Sequence, residues 1–205
     1  MIIGVPTEVK VAEKRVAVTP SGVRTLVQNG HTVLLQSNAG LGSGFPNEQY
    51  IQAGAQIIVH QKDIWADAYM IMKVKEPLPI EYDLMREDQI IFTYLHLAAA
   101  KALAEKMLEK KVVGIAYETI QTNSGALPLL APMSAVAGRL SIQAGAYCLE
   151  AKSGGMGVLL SGVPGGRPGR GGTAGLCGHH RGRGFRTACL FQRCWHRGAC
   201  HHTGH

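Results

Sequence analysis

Apolar runs of strand length alternate with helical patterns along residues 2–155, and this alternation limits the fold more than any other property of the chain. Ile2–Val5 reads as a strand. "TPSGVRTLVQNG" then reads as a helix, with Thr19 as N-cap, Pro20 in the first turn, Val23, Leu26 and Val27 on one face, and Gly30 as the stop. "HTVLLQ" (31–36) is a second strand, "PNEQYIQAG" a short helix, "QIIV" (56–59) a third strand and "KDIWADA" a helical turn. Met70–Val74 and Gln89–Leu95 are further strands. Residues 98–110 are rich in strong helix formers, with Lys101 and Glu105 one turn apart, and predict a helix before the strand "VVGIAYE". A long helix follows from Met133, with Val136, Leu140, Ala144 and Tyr147/Cys148 as its apolar stripe and Gly154–Gly155 as its end. Regular alternation of this kind predicts an α/β fold, an open and largely parallel sheet with flanking helices.

The pattern stops near Gly165. From there the chain has eleven Gly and seven Arg but no Lys, Asp or Glu, so the whole net charge of +7 lies in the tail and residues 1–164 carry 14 basic and 14 acidic side chains. Of five cysteines only Cys148 precedes the tail; Cys177, Cys189, Cys194 and Cys200 lie within it. The body therefore reads as a disulfide-free, cytoplasmic protein. It shows no signal peptide and no apolar run of membrane-spanning length, so neither a membrane nor a nucleic-acid partner is expected of it. The tail, with no apolar period and no charge of opposite sign, reads as disordered.

Three polar residues fall where the expected strands end. Arg15 lies in the loop after the first strand, Lys75 follows the run Met70–Val74, and His96 follows Gln89–Leu95. Ligands of open parallel sheets bind at the carboxyl ends of the strands, where loops and helix N-termini converge. Arg can grip a carboxylate through two parallel hydrogen bonds, Lys can polarise a carbonyl oxygen, and His can pass protons near neutral pH. The trio suits a small 2-oxo or 2-amino acid. Each also has a plainer reading: Arg15 in a solvated loop with Lys10, Glu13 and Lys14, Lys75 paired with Glu76, and His96 as a structural residue.

Neither glycine-rich stretch reads as a dinucleotide fingerprint. "AGLGSGF" (39–45) has the wrong spacing, with Phe45 in place of the third Gly, and reads as a turn. "GRGGTA" (169–174) has the spacing but neither a strand before it nor a helix after it to receive a pyrophosphate.

The segments "MIIGVPTEVKVAEKRVAVTP", "KVKEP", "FTYLHLAA", "GIAYETIQ" and "LLAPMSAVAGRLSIQAGAYCLE…GGMGVLLSGVPG" closely resemble, in order, the bacterial alanine dehydrogenase family over residues 1–165. The related proton-translocating transhydrogenase shares the opening, so a fragment of its alpha subunit is the alternative, but "YLHLAA" and the three polar residues favour the dehydrogenase. The resemblance implies reversible, NAD-dependent oxidative deamination of L-alanine to pyruvate and ammonium by a homo-oligomer, a hexamer. It implies that Arg15 holds the substrate carboxylate and that Lys75 contacts the carbonyl or amine end. It assigns His96 the acid–base role in making and collapsing a carbinolamine. Met133 and Ser134 would touch the nicotinamide side of NAD, although Ser134 is equally readable as a helix N-cap. The expected domains are a substrate domain at 1–132, a connecting helix and the start of the NAD domain at 133–164, and an aberrant tail at 165–205.

The resemblance ends where the family continues into a strand, a Gly-rich turn and a helix that open the NAD domain. The NAD domain is accordingly expected to be missing, and the truncated chain inactive. A frameshift or sequencing error after about Gly165 explains the tail's composition together with the lost pattern, and another reading frame of the DNA should then restore strand–GxGxxG–helix. Two other readings of the tail are an Arg/Gly-rich RNA-binding module, with Phe185, Phe191 and Trp195 for stacking, and a zinc site. No C-x-x-C occurs, Cys189, Cys194 and Cys200 are spaced too widely for a structural zinc site, and Cys200-His201-His202 would catch metal only adventitiously, so no metal is expected.

Overall fold

The structure, a computed structural model, describes residues 1–160. The expectations placed on the segment from Gly165 onward, namely disorder, a frameshift, an RNA or zinc site and the missing NAD domain, lie outside the described residues. The chain divides into two compact units, Met1–Leu130 and a second that begins at Ala131.

The first unit is a six-stranded, wholly parallel sheet. Its elements in chain order are β1 (Ile2–Val5), α1 (Pro20–Gln28), β2 (Thr32–Gln36), α2 (Asn47–Gln52), β3 (Gln56–Ile58), α3 (Gln61–Asp67), β4 (Met70–Met72), β5 (Ile90–Thr93), α4 (Lys101–Glu109) and β6 (Val113–Ala116). The strands lie in the order β3-β2-β1-β4-β5-β6. Chain order runs outward from β1 to one edge, returns to β4 beside it, and runs out to the other edge. A parallel sheet must be covered on both faces, and two apolar clusters do this. On β2 the side chains alternate: Val33 and Leu35 enter the cluster around Tyr50 and Val23, while Leu34 enters the one around Trp65, Ile71 and Ile91.

Local chemistry explains several elements. Thr19 caps α1, its Oγ1 accepting from the Gly22 N–H at 3.3 Å, and Pro20 opens the first turn. Gly30, at φ 80°, ends the helix by a left-handed turn. Tyr50 of α2 is wholly buried and its hydroxyl donates to the Val18 carbonyl at 2.9 Å, with burial pushing its pKa up to about 12. Residues 39–45 form a turn, a single 3-10 turn at Leu41–Ser43 closed by Gly44 at φ 82°.

Two expected strands are shorter than their apolar runs. The fourth stops at Met72 rather than Val74, and the fifth spans Ile90–Thr93 rather than Gln89–Leu95. One residue past those points the Lys73 and Tyr94 N–H groups still bond across, and then the N–H groups turn to carboxylates: Val74 donates to Glu8, and Leu95 and His96 donate to Glu118. The helix expected over 98–110 also divides. A 3-10 turn at Leu97–Ala99 follows His96, and α4 starts at Lys101 because Ala100, at φ −124° and ψ 60°, is not helical. The other boundaries differ by a residue or two.

The described part of the second unit is α5 (Ala131–Leu149) followed by a 3-10 turn at Ala151–Ser153. The helix starts two residues before the expected Met133 and stops short of Gly154–Gly155. None of its residues is buried, and Val136, Leu140 and Tyr147 of the expected stripe are exposed, as is Ile142 off that stripe.

Candidate active site at the switch between strands 1 and 4

In open α/β sheets the loops leaving the two strands at the reversal of strand order part to opposite faces and leave a crevice at the carboxyl edge. Here that reversal lies between β1 and β4. Arg15 sits in the loop after β1, Lys75 in the loop after β4, and His96 after β5, the next strand along. Because every strand is parallel, all three lie at the same edge of the sheet.

Arg15 is held as a fork on the Glu13 carboxylate, with Nε 2.8 Å from Oε1 and Nη2 2.6 Å from Oε2. The Arg15 backbone N–H also donates to Glu13 Oε1 at 2.9 Å. These hydrogen bonds hold the Glu13 carboxyl below its ordinary range, and the same contact raises Arg15 further. The loop is therefore organised rather than merely solvated. It also shows that Arg15 can make the bidentate grip a substrate carboxylate needs.

The plainer reading of Lys75 fails in its partner, since Glu76 pairs instead with Lys10 at 2.6 Å. Burial works to raise the Glu76 carboxyl, but the Lys10 bond, a backbone N–H and the charges of Lys10 and Lys75 outweigh it and leave it lowered. The Lys75 charge also helps to lower Glu13.

His96 is 49% exposed at its side chain and stacks on Tyr94, ring centroids 6.0 Å apart and planes 10° apart. Tyr94 carries the link to Arg15. Burial raises its hydroxyl, the Arg15 charge opposes that rise, and Glu118 adds to it. The Tyr94 hydroxyl is fixed by donating to the Leu129 carbonyl at 2.6 Å. Arg15 grips Glu13, on which the Lys75 charge also acts, and the Arg15 charge acts on Tyr94, which stacks on His96.

Below them lies an ionic cluster that residue-by-residue reading misses. Lys73 is wholly buried, its Nζ 2.6 Å from Glu81 Oε1 and 3.6 Å from Glu8 Oε2. Glu81, also wholly buried, accepts further bonds from Gln61 Nε2 at 2.8 Å and the Leu78 N–H at 3.0 Å. Buried charges persist only when paired and hydrogen-bonded, and these are. Glu8 is raised overall by burial, against the lowering effects of Lys73 and the Val74 and Lys75 N–H groups. The signal for Glu8 and Glu118 was their place: each lies within a few residues of a strand's carboxyl end, in "GVPTE" and "GIAYE".

The turn after β1 does not fit the pyrophosphate of a dinucleotide. Pro6, Thr7 and Glu8 stand where a glycine cradle would be, a carboxylate lies among them, and α1 starts only at Pro20. In the second unit, Met133 and Ser134 occupy the first turn of α5, where Met133 is exposed and Ser134 half-buried. Since the helix begins at Ala131, Ser134 is inside it and is not its N-cap. Among the described residues no group of His, Cys, Asp and Glu could hold a metal ion, and no helix is long and apolar enough to cross a membrane.

Residues 4–137 match the family described as alanine dehydrogenase/PNT, N-terminal domain. The chain is 58% identical to the alanine dehydrogenase of Bacillus subtilis over 165 residues, 80% of this chain and 43% of that protein. It is 56% identical to the alanine dehydrogenase of Bilophila wadsworthia over the same length, covering 44% of it. A solved L-alanine dehydrogenase superposes with a TM-score of 0.71 at 56% identity, covering 82% of this chain and 46% of that one. A transhydrogenase from Sinorhizobium meliloti shares the fold, with a TM-score of 0.65 at 24% identity over 73% of this chain and 43% of its own. The chain spans less than half the length of these relatives. With its parallel sheet and this match over more than half of its length, the chain belongs to the alanine dehydrogenase/PNT N-terminal domain family.

Proposed function

We propose that the crevice between β1, β4 and β5 binds L-alanine and pyruvate, and that residues 1–132 act as the substrate half of an L-alanine dehydrogenase. The observation that carries this reading is the convergence of Arg15, Lys75 and His96 at the switch point. Arg15 takes the substrate carboxylate in place of Glu13, whose grip on it already has the required two-bond geometry. Lys75 faces the carbonyl or amine end and favours negative charge on the oxygen. His96 moves the proton as the carbinolamine forms and collapses. Met133 and Ser134 touch the nicotinamide side of NAD, which when bound accepts the hydride. The pyrophosphate is held elsewhere than the β1 turn. Homo-oligomeric assembly, hexameric as the resemblance implies, and a cytoplasmic location belong to the same proposal.

The proposal also holds that this chain alone does not turn over. In the sequence, no apolar run of strand length leads into "GRGGTA" and no helical pattern follows it. Calorimetry with pyruvate tests the first part. Wild-type chain should bind, and Arg15→Lys, which replaces a fork by a point charge, should weaken binding roughly tenfold, about 1.5 kcal/mol or more. Equal affinity for both would remove Arg15 from the site. Formation of NADH from L-alanine and NAD by the purified chain would overturn the second part.

A further inference from the structure

We propose that Glu8 and Glu118 are the positioning residues of this site: each carboxylate clamps two consecutive backbone N–H groups just beyond a strand's end, and the second residue clamped is Lys75 in one case and His96 in the other. The inference rests on the crevice being the substrate site. Glu8 Oε1 accepts from the Val74 N–H at 2.6 Å and Oε2 from the Lys75 N–H at 3.3 Å. Glu118 Oε1 accepts from the His96 N–H at 2.7 Å and from the Leu95 N–H at 3.2 Å, and Oε2 from Leu95 at 3.3 Å.

The two clamps share one logic. Past the ends of β4 and β5 one more N–H on each side still crosses between them, Lys73 to the Phe92 carbonyl at 3.1 Å and Tyr94 to the Val74 carbonyl at 3.4 Å, and the N–H groups that follow need other acceptors. A carboxylate offers two oxygens to two successive N–H groups, with bonds stronger than neutral ones. Both carboxylates come from loops at the ends of adjacent strands, Glu8 after β1 and Glu118 after β6. Each therefore ties its candidate residue to the neighbouring strand rather than to its own loop.

Each clamp has its own support. Lys73, wholly buried between Glu81 and Glu8, anchors the first from below. At the second, His96 has φ 49° and ψ 36°, a left-handed conformation unfavourable for a side chain with a Cβ, and the tight Glu118 bond to its N–H holds it there. His96 Nδ1 also lies 4.0 Å from Glu118 Oε1, so one carboxylate faces both the backbone and the ring.

The test uses the 205-residue chain and its Glu8→Gln, Glu8→Asp, Glu118→Gln and Glu118→Asp variants. Pyruvate affinity is measured by calorimetry, beside thermal melts and backbone NMR shifts without ligand. Glutamine presents an NH2 to one of the paired donors, and aspartate keeps the charge but falls short by a methylene. Both exchanges should cost roughly tenfold or more in affinity in chains that still fold. Glu118→Gln should also take the His96 Cα and Cβ shifts out of the left-handed pattern; Glu8→Gln should leave them in place and move the Lys75 amide. Folded variants with wild-type affinity and shifts would overturn the proposal. If a Gln variant does not fold, its Asp partner decides by the same measures. Should the wild-type chain fail to bind pyruvate, the substrate reading falls. The ligand-free shifts then decide the clamps, change supporting them and no change overturning them.

Discussion

Glu13 and Glu76 sit in the loops that frame the crevice, and both are lowered from 4.5, Glu13 chiefly by its Arg15 bonds and Glu76 by Lys10 and a backbone N–H against the opposing effect of burial. A carboxyl lowered in the folded chain contributes stability above its unfolded value, and that contribution is lost as pH falls through the folded value. Glu8 is raised by burial, so its sign is opposite: its contribution is present below 4.5 and is lost as pH rises through the folded value. Urea unfolding followed downward from neutral pH should therefore show a flatter loss of stability below 4.5 in Glu76→Gln than in wild type. Parallel curves would mean that the Lys10–Glu76 contact does not persist in solution. The candidate residues Arg15, Lys75 and His96 were legible in sequence because strand ends are where loops converge. Glu8 and Glu118 share that placement, but their contacts were not legible, since Glu8 meets Lys75 across 67 positions and Glu118 meets His96 across 22. Nor does "KVKEP" say which lysine is buried. Lys73 is, because Glu81 and Glu8 close on it in the folded chain.

At the scale of elements, the helices and strands were legible because a parallel strand with both faces covered is a short apolar run and the covering helices repeat every three to four residues. Strand ends were not, since an apolar run does not reveal that its last N–H groups go to distant carboxylates. The approach of α3 to the sheet depends on one glycine of β1. A Cβ at Gly4 would lie 2.5 Å from Ile64 Cγ2 and 2.7 Å from the Ala68 Cβ. Gly4→Ala should push α3 off β1 and destabilise the chain by about 1–3 kcal/mol, the usual cost of overpacking a tight core. A thermal melt checks this, and an unchanged midpoint would show that α3 can shift without penalty.

For the whole molecule, the apolar surface of α5 sets solution behaviour. Val136, Leu140, Ile142 and Tyr147 are all exposed on a helix with no buried residue. Large apolar side chains left exposed along a helix promote association. Light scattering on the purified chain should show species larger than a monomer, growing with concentration, and Leu140→Glu with Ile142→Glu should reduce them. A monodisperse wild-type monomer at every concentration would contradict the expectation. The order of apolar runs along the chain, by itself, determined that strands and helices alternate and that the strands run parallel, because those runs are local and each must find cover. Which strands are neighbours, where the order reverses, and which carboxylates fix Lys75 and His96 were decided only by the tertiary structure. Those depend on contacts between residues far apart in sequence, and no local pattern encodes them.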